Sequence, residues 1–482
     1  MSLRNQTIVG VFWNFLEQFA RRGVQLATTL LLAYFLTPGD FGLVAMMTVF
    51  IAIATVLMES GFKQALIRLK NATQEDYNTA FYANLALGLA AYAVLYLTAP
   101  YIAAFYDEQE LVTLLRVAGV VVILNAFQVI QVVILSREMQ FRLLLKASVP
   151  AALLSAAVAV SLGYLGAGVW ALVAQIISSA FFLTAFLWLL GLWRPQLVFS
   201  KTALREMYGF GYKLFLSGLL DTVFKNIYIL VVGKLFAATV AGHYFFASKL
   251  REILVTQLTA AIQNVTYPAL SKIQDDNHRL KAGYRKVVTF AAFIIFPILV
   301  LSAILTTPFF ELFLNESWQP AVPYFQILCL SGLLYPLHSI NLNILKVKGR
   351  SDLFLYVEVI KKSAAILILL VSINFGIYGI LVGQLVSSIL SYIPNIYFSS
   401  KVLGYSFKEQ MSDVLPTFLI VIFVGSTYRS IIQVIELNSW LSLFLGPIFF
   451  IIFYLVLSYA FNFEGTRILW QYFLRASKTN SN

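Results

Sequence analysis

Leu172-Val173-Ala174-Gln175-Ile176-Ile177-Ser178-Ser179 returns later in the chain as Leu381-Val382-Gly383-Gln384-Leu385-Val386-Ser387-Ser388. Other matches keep the same order and a nearly constant offset. Ile134-Leu135, a basic connector and Leu143 to Leu145 return as Ile344-Leu345, a basic connector and Leu353 to Leu355. The turn from Leu36 to Leu43 corresponds to Phe236 to His243 and aligns Gly42 with Gly242. The chain is therefore read as an internal repeat.

Each copy lies in an apolar block long enough to cross a bilayer, which takes about 20 residues per helix. Such blocks fall at 8–36, 41–66, 78–105, 111–135, 143–163, 168–190, 210–236, 240–270, 286–308, 321–346, 353–373, 376–399, 412–433 and 439–461. Of the 482 residues, 60% are hydrophobic and 12% are charged, where a soluble domain carries about 25% charge. The fold class expected is all-α integral membrane, with about 14 transmembrane helices.

The connectors alternate in basic charge. One side holds Lys63, Arg68 and Lys70, then Arg137, Arg142 and Lys146, then Arg194, Lys201, Arg205 and Lys213. It continues through Lys272, Arg279, Lys281, Arg285 and Lys286, then Lys346, Lys348 and Arg350, then Lys401 and Lys408, and ends with Arg467, Arg475 and Lys478. The other side holds little beyond Lys234 and Arg429, and it carries the acidic groups Asp107, Glu108, Glu110, Glu311 and Glu316. Cytoplasmic connectors carry the Lys/Arg excess. Both termini are thus expected in the cytoplasm, with Asp107 and Glu316 outside. Insertion topology also accounts for the net charge of +12 without nucleic acid.

The repeat divides the chain into a lobe of six helices at 1–195, an amphipathic cytoplasmic connector at 196–209, a second six-helix lobe at 210–400, and helices 13 and 14 with a tail at 401–482. Six is even, so the lobes share an orientation about an axis along the membrane normal. That is the parallel-repeat arrangement, with a substrate site in a central cavity between lobes.

Several apolar blocks carry charges at depth. The first holds Glu17, Arg21 and Arg22, and the second holds Glu59 and Lys63. The seventh holds Asp221 and Lys225, the eighth Lys249, Arg251 and Glu252, and the eleventh Glu358, Lys361 and Lys362. A charge at the bilayer centre costs about 2.5–3.5 kcal/mol on insertion scales. Glu17/Arg21 and Asp221/Lys225 are acid–base pairs at i,i+4, on one helix face. Two readings stand: pairs that only lower insertion cost, or the walls of a polar cavity. The cavity reading rests on concentration of these charges in the first two helices of each lobe. Basic groups outnumber acidic ones there, which suits an anionic, phosphate-bearing substrate. Arg21, Arg22, Lys225, Lys249 and Arg251 are the candidate headgroup-binding residues. Glu17 and Asp221 are the candidate coupling-ion carboxylates.

The remaining chemistry is sparse. Cys329 is the single cysteine, and His243, His278 and His338 share no ligand spacing, so no metal site, cofactor or catalytic residue is assigned. No Gly-Lys-Ser/Thr phosphate loop, His-Glu-x-x-His or Gly-x-Ser-x-Gly is present, and no enzymatic activity is expected. Arg21 and Arg22 interrupt the first block, unlike a cleaved signal peptide. Tyr82, Tyr92, Tyr228, Tyr267 and Trp170 offer faces for sugar stacking, although helix packing explains them equally. Pro150, Pro268, Pro297, Pro336, Pro394 and Pro416 lie within or at the ends of blocks, where membrane helices tolerate them.

Four segments carry a family resemblance: Leu36-Thr37-Pro38-Gly39-Asp40-Phe41-Gly42-Leu43, Ser136-Arg137-Glu138-Met139-Gln140-Phe141-Arg142, Gly168-Val169-Trp170-Ala171-Leu172-Val173 and Tyr267-Pro268-Ala269-Leu270-Ser271-Lys272. With their order across the blocks, the chain resembles the Wzx-type flippases of the multidrug/oligosaccharidyl-lipid/polysaccharide (MOP) exporter superfamily, most of all the colanic-acid/lipopolysaccharide exporters. The resemblance spans nearly the whole chain. It implies two six-helix lobes around a V-shaped cavity and two further helices. It implies alternating access that moves an undecaprenyl-pyrophosphate-linked oligosaccharide across the bacterial inner membrane, for exopolysaccharide, O-antigen or lipopolysaccharide assembly. Membrane lipid and the lipid-linked oligosaccharide are the implied partners, with a polysaccharide polymerase and a chain-length regulator as candidates. A cation-coupled small-molecule exporter of the same superfamily and a non-transporting scaffold for glycan assembly remain as alternatives. The first of these fits less well, because its site calls for net acidic charge.

Overall fold

A computed structural model describes residues 3–69, 71–191 and 193–467. Lys70, Arg475 and Lys478 lie outside the described residues. The chain is helical throughout, and no strand occurs among the described residues. The first half runs α1 (Leu3–Phe35), α2 (Pro38–Glu59), α3 (Phe62–Arg68), α4 (Gln74–Tyr106), α5 (Leu111–Ala118), α6 (Val120–Arg137), α7 (Phe141–Tyr164), α8 (Val169–Leu189) and α9 (Lys201–Leu235). The second runs α10 (Ala238–Ser271), α11 (Asn277–Phe313), α12 (Ala321–Gly332), α13 (Tyr335–Val347), α14 (Ser351–Ser372), α15 (Gly376–Leu403), α16 (Phe407–Ile435) and α17 (Ser439–Ala460).

Eleven spans among the described residues are long and apolar enough to cross a membrane. One of them, Ser351–Leu403, comprises α14 and α15. α1 and α10 have the length, at 33 and 34 residues, but they carry the intramembrane charges. This is a multi-pass membrane protein.

Three blocks read as single helices are broken. The block at 41–66 is α2 and α3, parted at Ser60 and Gly61, where φ is +40° and +79°. A Cβ at Gly61 would collide with the backbone of Gly211, so glycine suits both the dihedral and the close approach of α9. The block at 111–135 is α5 and α6, and that at 321–346 is α12 and α13. The connector at 196–209 is helical from Lys201, because the Ser200 side chain caps α9 by accepting from the Ala203 N–H.

The resemblance segment from Leu36 to Leu43 has a local physical role. Thr37 and Asp40 form a reciprocal capping box at the start of α2, with Pro38 in its first turn. Such a cap contributes about 1 kcal/mol. Thr73/Asp76 start α4, and Ser406/Glu409 start α16, in the same way. A Cβ at Gly42 would overlap the Ala238 carbonyl, and one at Gly242 would overlap that of Pro38. The matched glycines therefore let the starts of α2 and α10 touch backbone to backbone.

Contacts divide the chain into two compact units, Met1–Phe245 and Phe246–Asn482, with the border inside α10. In the first unit, α7 packs on α1 and α8, and α2 packs on α4 and α9. A core of Phe62, Leu66, Phe81, Ile130, Val133, Trp193 and Met207 joins α3, α4, α6 and α9. In the second unit α11 is the central post and packs on α12, α13, α16 and α17.

Candidate functional site: charged groups at membrane depth

Each candidate carboxylate lies beside a base on its own helix. In α1, Arg21 Nε donates to Glu17 Oε1 at 2.9 Å; Glu17 is buried, and the Arg21 side chain is 42% exposed. Arg21 stands about 21 Å from the end of α1 at 1.5 Å per residue. Arg22, beside it, is also engaged with a neighbour. In α9, Lys225 Nζ lies 2.7 Å from Asp221 Oδ2, with side chains 74% and 46% exposed. This pair sits about 15 Å inside the α9 end.

In the second unit, Lys249 pairs with Glu252 at 3.3 Å. Arg251 takes another course. Its stem lies against Gly332 of α12, where a Cβ would stand 3.3 Å from Arg251 Cδ, and its Nε is buried without a hydrogen-bond partner among the described residues. Arg251 thus turns toward α12, while Lys249 and Glu252 share an ion pair. In α14, Lys361 and Glu358 pair at 2.8 Å with both side chains mostly buried.

These pairs are local in sequence, so each forms wherever its helix forms. Their exposure separates them. α9 has the least buried span of all, with 6% of its apolar window covered, and it carries the most exposed pair. α1 keeps its carboxylate covered and presents the base. Among the described residues no cluster of three His, Cys, Asp or Glu side chains could hold a metal ion. Of the aromatic candidates, Tyr92 donates to the Arg116 carbonyl at 3.0 Å, Tyr82 packs edge-on against Phe81, and Trp170 is 37% exposed. The Tyr267 side chain lies outside the described residues.

Sequence reasoning passed over a buried polar network in the second unit. Asn341 Oδ1 accepts from Tyr284 Oη at 2.5 Å and from Ser399 Oγ at 2.7 Å. Asn341 Nδ2 points to Gln410 Oε1 at 3.5 Å, and Tyr392 Oη to the same oxygen at 3.4 Å. The His338 ring meets Asn395 at 2.7 Å and Ser388 at 3.4 Å. His338 is a satisfied packing histidine. Nearer the basic connectors, Lys281 binds Glu409 at 2.8 Å, and Arg285 binds Asp413 at 2.5 Å. Lys281, and then the Ser406 N–H, hold the Glu409 carboxyl down at about 2. Ser406-x-x-Glu409 was a readable signal, since it is a capping box ahead of an apolar run. The partners of Asn341 come from three other helices and left no such signal.

Residues 31–323, more than half of the chain, match the model of a family described as polysaccharide biosynthesis protein. The chain belongs to this family. It is 25% identical over 427 residues to the lipopolysaccharide biosynthesis protein WzxC of Escherichia coli (strain K12), covering 87% of this chain and 86% of that one. It is 25% identical over 363 residues to the teichuronic acid biosynthesis protein TuaB of Bacillus subtilis (strain 168), covering 74% of each. The succinoglycan biosynthesis transport protein ExoT of Rhizobium meliloti (strain 1021) is 24% identical over 417 residues, covering 86% and 82%. Among solved structures, the lipid II flippase MurJ in an inward closed conformation superposes with a TM-score of 0.73 at 15% identity, covering 94% of this chain and 98% of that one. An inward-facing multidrug-resistance MATE transporter of the MOP superfamily gives 0.61 at 17% identity, covering 80% and 96%. The fold is that of the MurJ and MATE transporters.

Proposed function

We propose that this protein is a flippase that moves a polyprenyl-pyrophosphate-linked oligosaccharide across the bacterial inner membrane by alternating access, in the assembly of an exopolysaccharide, O-antigen or lipopolysaccharide. The observation that carries this reading is the Asp221–Lys225 pair, which is exposed at membrane depth on the least covered span. An exposed ion pair in hydrocarbon is costly, so this face of α9 lines water or a polar headgroup. Relatives named for lipopolysaccharide, teichuronic acid and succinoglycan biosynthesis support the class of cargo.

Arg21, Arg22, Lys225, Lys249 and Arg251 outnumber Glu17, Asp221 and Glu252. This basic excess attracts the pyrophosphate as the headgroup passes. Glu17 and Asp221 are the coupling carboxylates. Each is held by a base, and substrate phosphate competes for that base, so cation binding and substrate binding are linked. The protein works without covalent chemistry of its own, with both termini in the cytoplasm and beside a polysaccharide polymerase and a chain-length regulator.

Depletion tests the reading directly: the lipid-linked oligosaccharide is expected to accumulate on the cytoplasmic leaflet. Arg21→Ala or Lys249→Ala should lower export at unchanged protein level, whereas full export from both variants would favour a scaffold. In proteoliposomes, Asp221→Asn should blunt the response of flipping to an imposed pH or sodium gradient. Impermeant labelling of a cysteine placed at position 201, in a Cys329-free background, should fail from outside the cell.

A further inference from the structure

A cavity of about 310 Å³ lies within the second unit, between α11, α12 and α16. Its walls are Val300, Ala303, Ile304, Ile327, Leu330 and Ile422, with Gly425 and Ser426 on the α16 side. Gln326 also faces it but has spent its amide, donating Nε2–H to the Ala303 carbonyl at 3.2 Å. Arg429 closes one end. It is exposed and forms no ion pair among the described residues. It lies about 9 Å inside the last residue of α16, on the connector side that is poor in Lys and Arg, where an unpaired guanidinium answers no topological need.

An apolar slot with a single guanidinium at its end has the chemistry of a lipid with one anionic group on one chain. We propose that this slot is a binding site for a membrane phospholipid, with an acyl chain between α11, α12 and α16 and the phosphodiester on Arg429. Charge selects the occupant. A phosphodiester carries a single negative charge and matches one guanidinium, whereas a terminal phosphate carries about −1.5 to −2 and would leave charge unanswered here. The exposed Leu330 and Ser426 leave the slot open for a chain to enter from the bilayer side. The site is independent of the transport reading above, and its lipid would fill the groove between α12 and α16 over α11, which packs directly on both helices.

The test is native mass spectrometry of the full chain in detergent, titrated with phosphatidylglycerol in one arm and a polyisoprenyl phosphate in the other. Arg429→Gln removes the charge, and Ser426→Phe fills the slot from an exposed position while leaving Arg429 in place. Each variant should retain about tenfold less phosphatidylglycerol than the wild type, Arg429→Gln through the loss of one charge-assisted hydrogen bond and Ser426→Phe through the filled slot, with melting temperature as the check on folding. Wild-type retention in both variants would overturn the proposal and make Arg429 an interface anchor that snorkels. Preferential retention of the polyisoprenyl phosphate, lost in Arg429→Gln, would also overturn it by giving the slot to a carrier lipid.

Discussion

The two units secure corresponding places by opposite means. In the first, the start of α4 holds the stretch between α8 and α9 with neutral groups. Gln74 donates to the Arg194 carbonyl at 2.9 Å and accepts from Trp193 Nε1 at 2.9 Å. Asn78 accepts from the Gln196 N–H and Thr79 from the Ser200 N–H, each at 3.0 Å. In the second, the start of α11 holds the stretch between α15 and α16 with charges. Lys281 binds the Gly404 carbonyl at 2.7 Å and the Glu409 carboxylate, and Arg285 and Tyr405 converge on Asp413. One clamp is indifferent to salt and pH, and the other is exposed to both. A joint of this kind can thus be made with neutral or with charged groups.

The largest expected effect comes from the amides behind these clamps. The offset that matches Ile134-Leu135 with Ile344-Leu345 also pairs Gln131 with Asn341, and both are fully buried. Among the described residues Gln131 makes one bond, to the Trp193 carbonyl at 2.9 Å, and its Oε1 has no partner. Asn341 serves Tyr284 and Ser399 together and reaches toward Gln410. Asn341→Leu therefore strands the buried Tyr284 hydroxyl, at about 1–3 kcal/mol, and takes one of two bonds from Ser399 and from Gln410 Oε1 as well. Gln131→Leu strands one carbonyl and removes an oxygen that was already orphaned, so its cost is about 1 kcal/mol. Thermal unfolding in detergent checks the ranking, and equal losses would break the comparison.

How much of this was legible in the sequence follows from the range of each interaction. The helices, the acid–base pairs and the capping boxes span four residues or fewer, and apolar length and spacing give them directly. The break at Ser60-Gly61 had a signal, since Glu59 and Lys63 flank a Ser-Gly pair, whereas those after Ala118 and after Gly332 were invisible, since apolar blocks run through them. Glu17 and Arg251 show the other limit. Sequence placed both at membrane depth, but whether a side chain is covered or turned toward a neighbour depends on helix rotation. The Gly332 surface that receives Arg251 lies on another helix. Asn341 is the extreme case, with partners on α11, α15 and α16 that no local pattern announces.

A middle-sized effect should separate the clamps themselves. Asp413 is only 10% exposed, and Arg285 is its charged partner. Arg285→Ala leaves that carboxylate with Tyr405 alone, at a cost of about 1–2 kcal/mol once the half-exposed guanidinium is discounted for screening. Arg285→Ala with Asp413→Asn should recover much of the loss, because the stranded charge is gone. In the neutral clamp, Trp193→Phe removes the Nε1–H bond to Gln74, at about 1 kcal/mol, together with part of a ring that packs on Phe81 in the core. A double variant no better than Arg285→Ala would mean that packing, not charge, holds the second clamp.

The smallest effect is the sharpest discriminator, because its size depends on pH. Lys281, and after it the Ser406 N–H, hold the Glu409 carboxyl at about 2, below the ordinary value of about 4.3. A carboxylate with a lowered folded-state pKa stabilises the fold above its unfolded pKa and loses that contribution as pH falls toward the folded one. Lys281→Ala removes the larger cause and leaves the helix cap. The gap in melting temperature between wild type and Lys281→Ala should be full at neutral pH. It should narrow below about pH 4.3 and fall, as the pH approaches 2, to what the Lys281 bond to the Gly404 carbonyl contributes. About 0.5 M salt should narrow the same gap at neutral pH, while the Trp193→Phe gap stays unchanged. A Lys281→Ala gap that ignores both salt and pH would show that the ion pair adds nothing to the joint, and that both clamps rest on hydrogen bonds to the backbone.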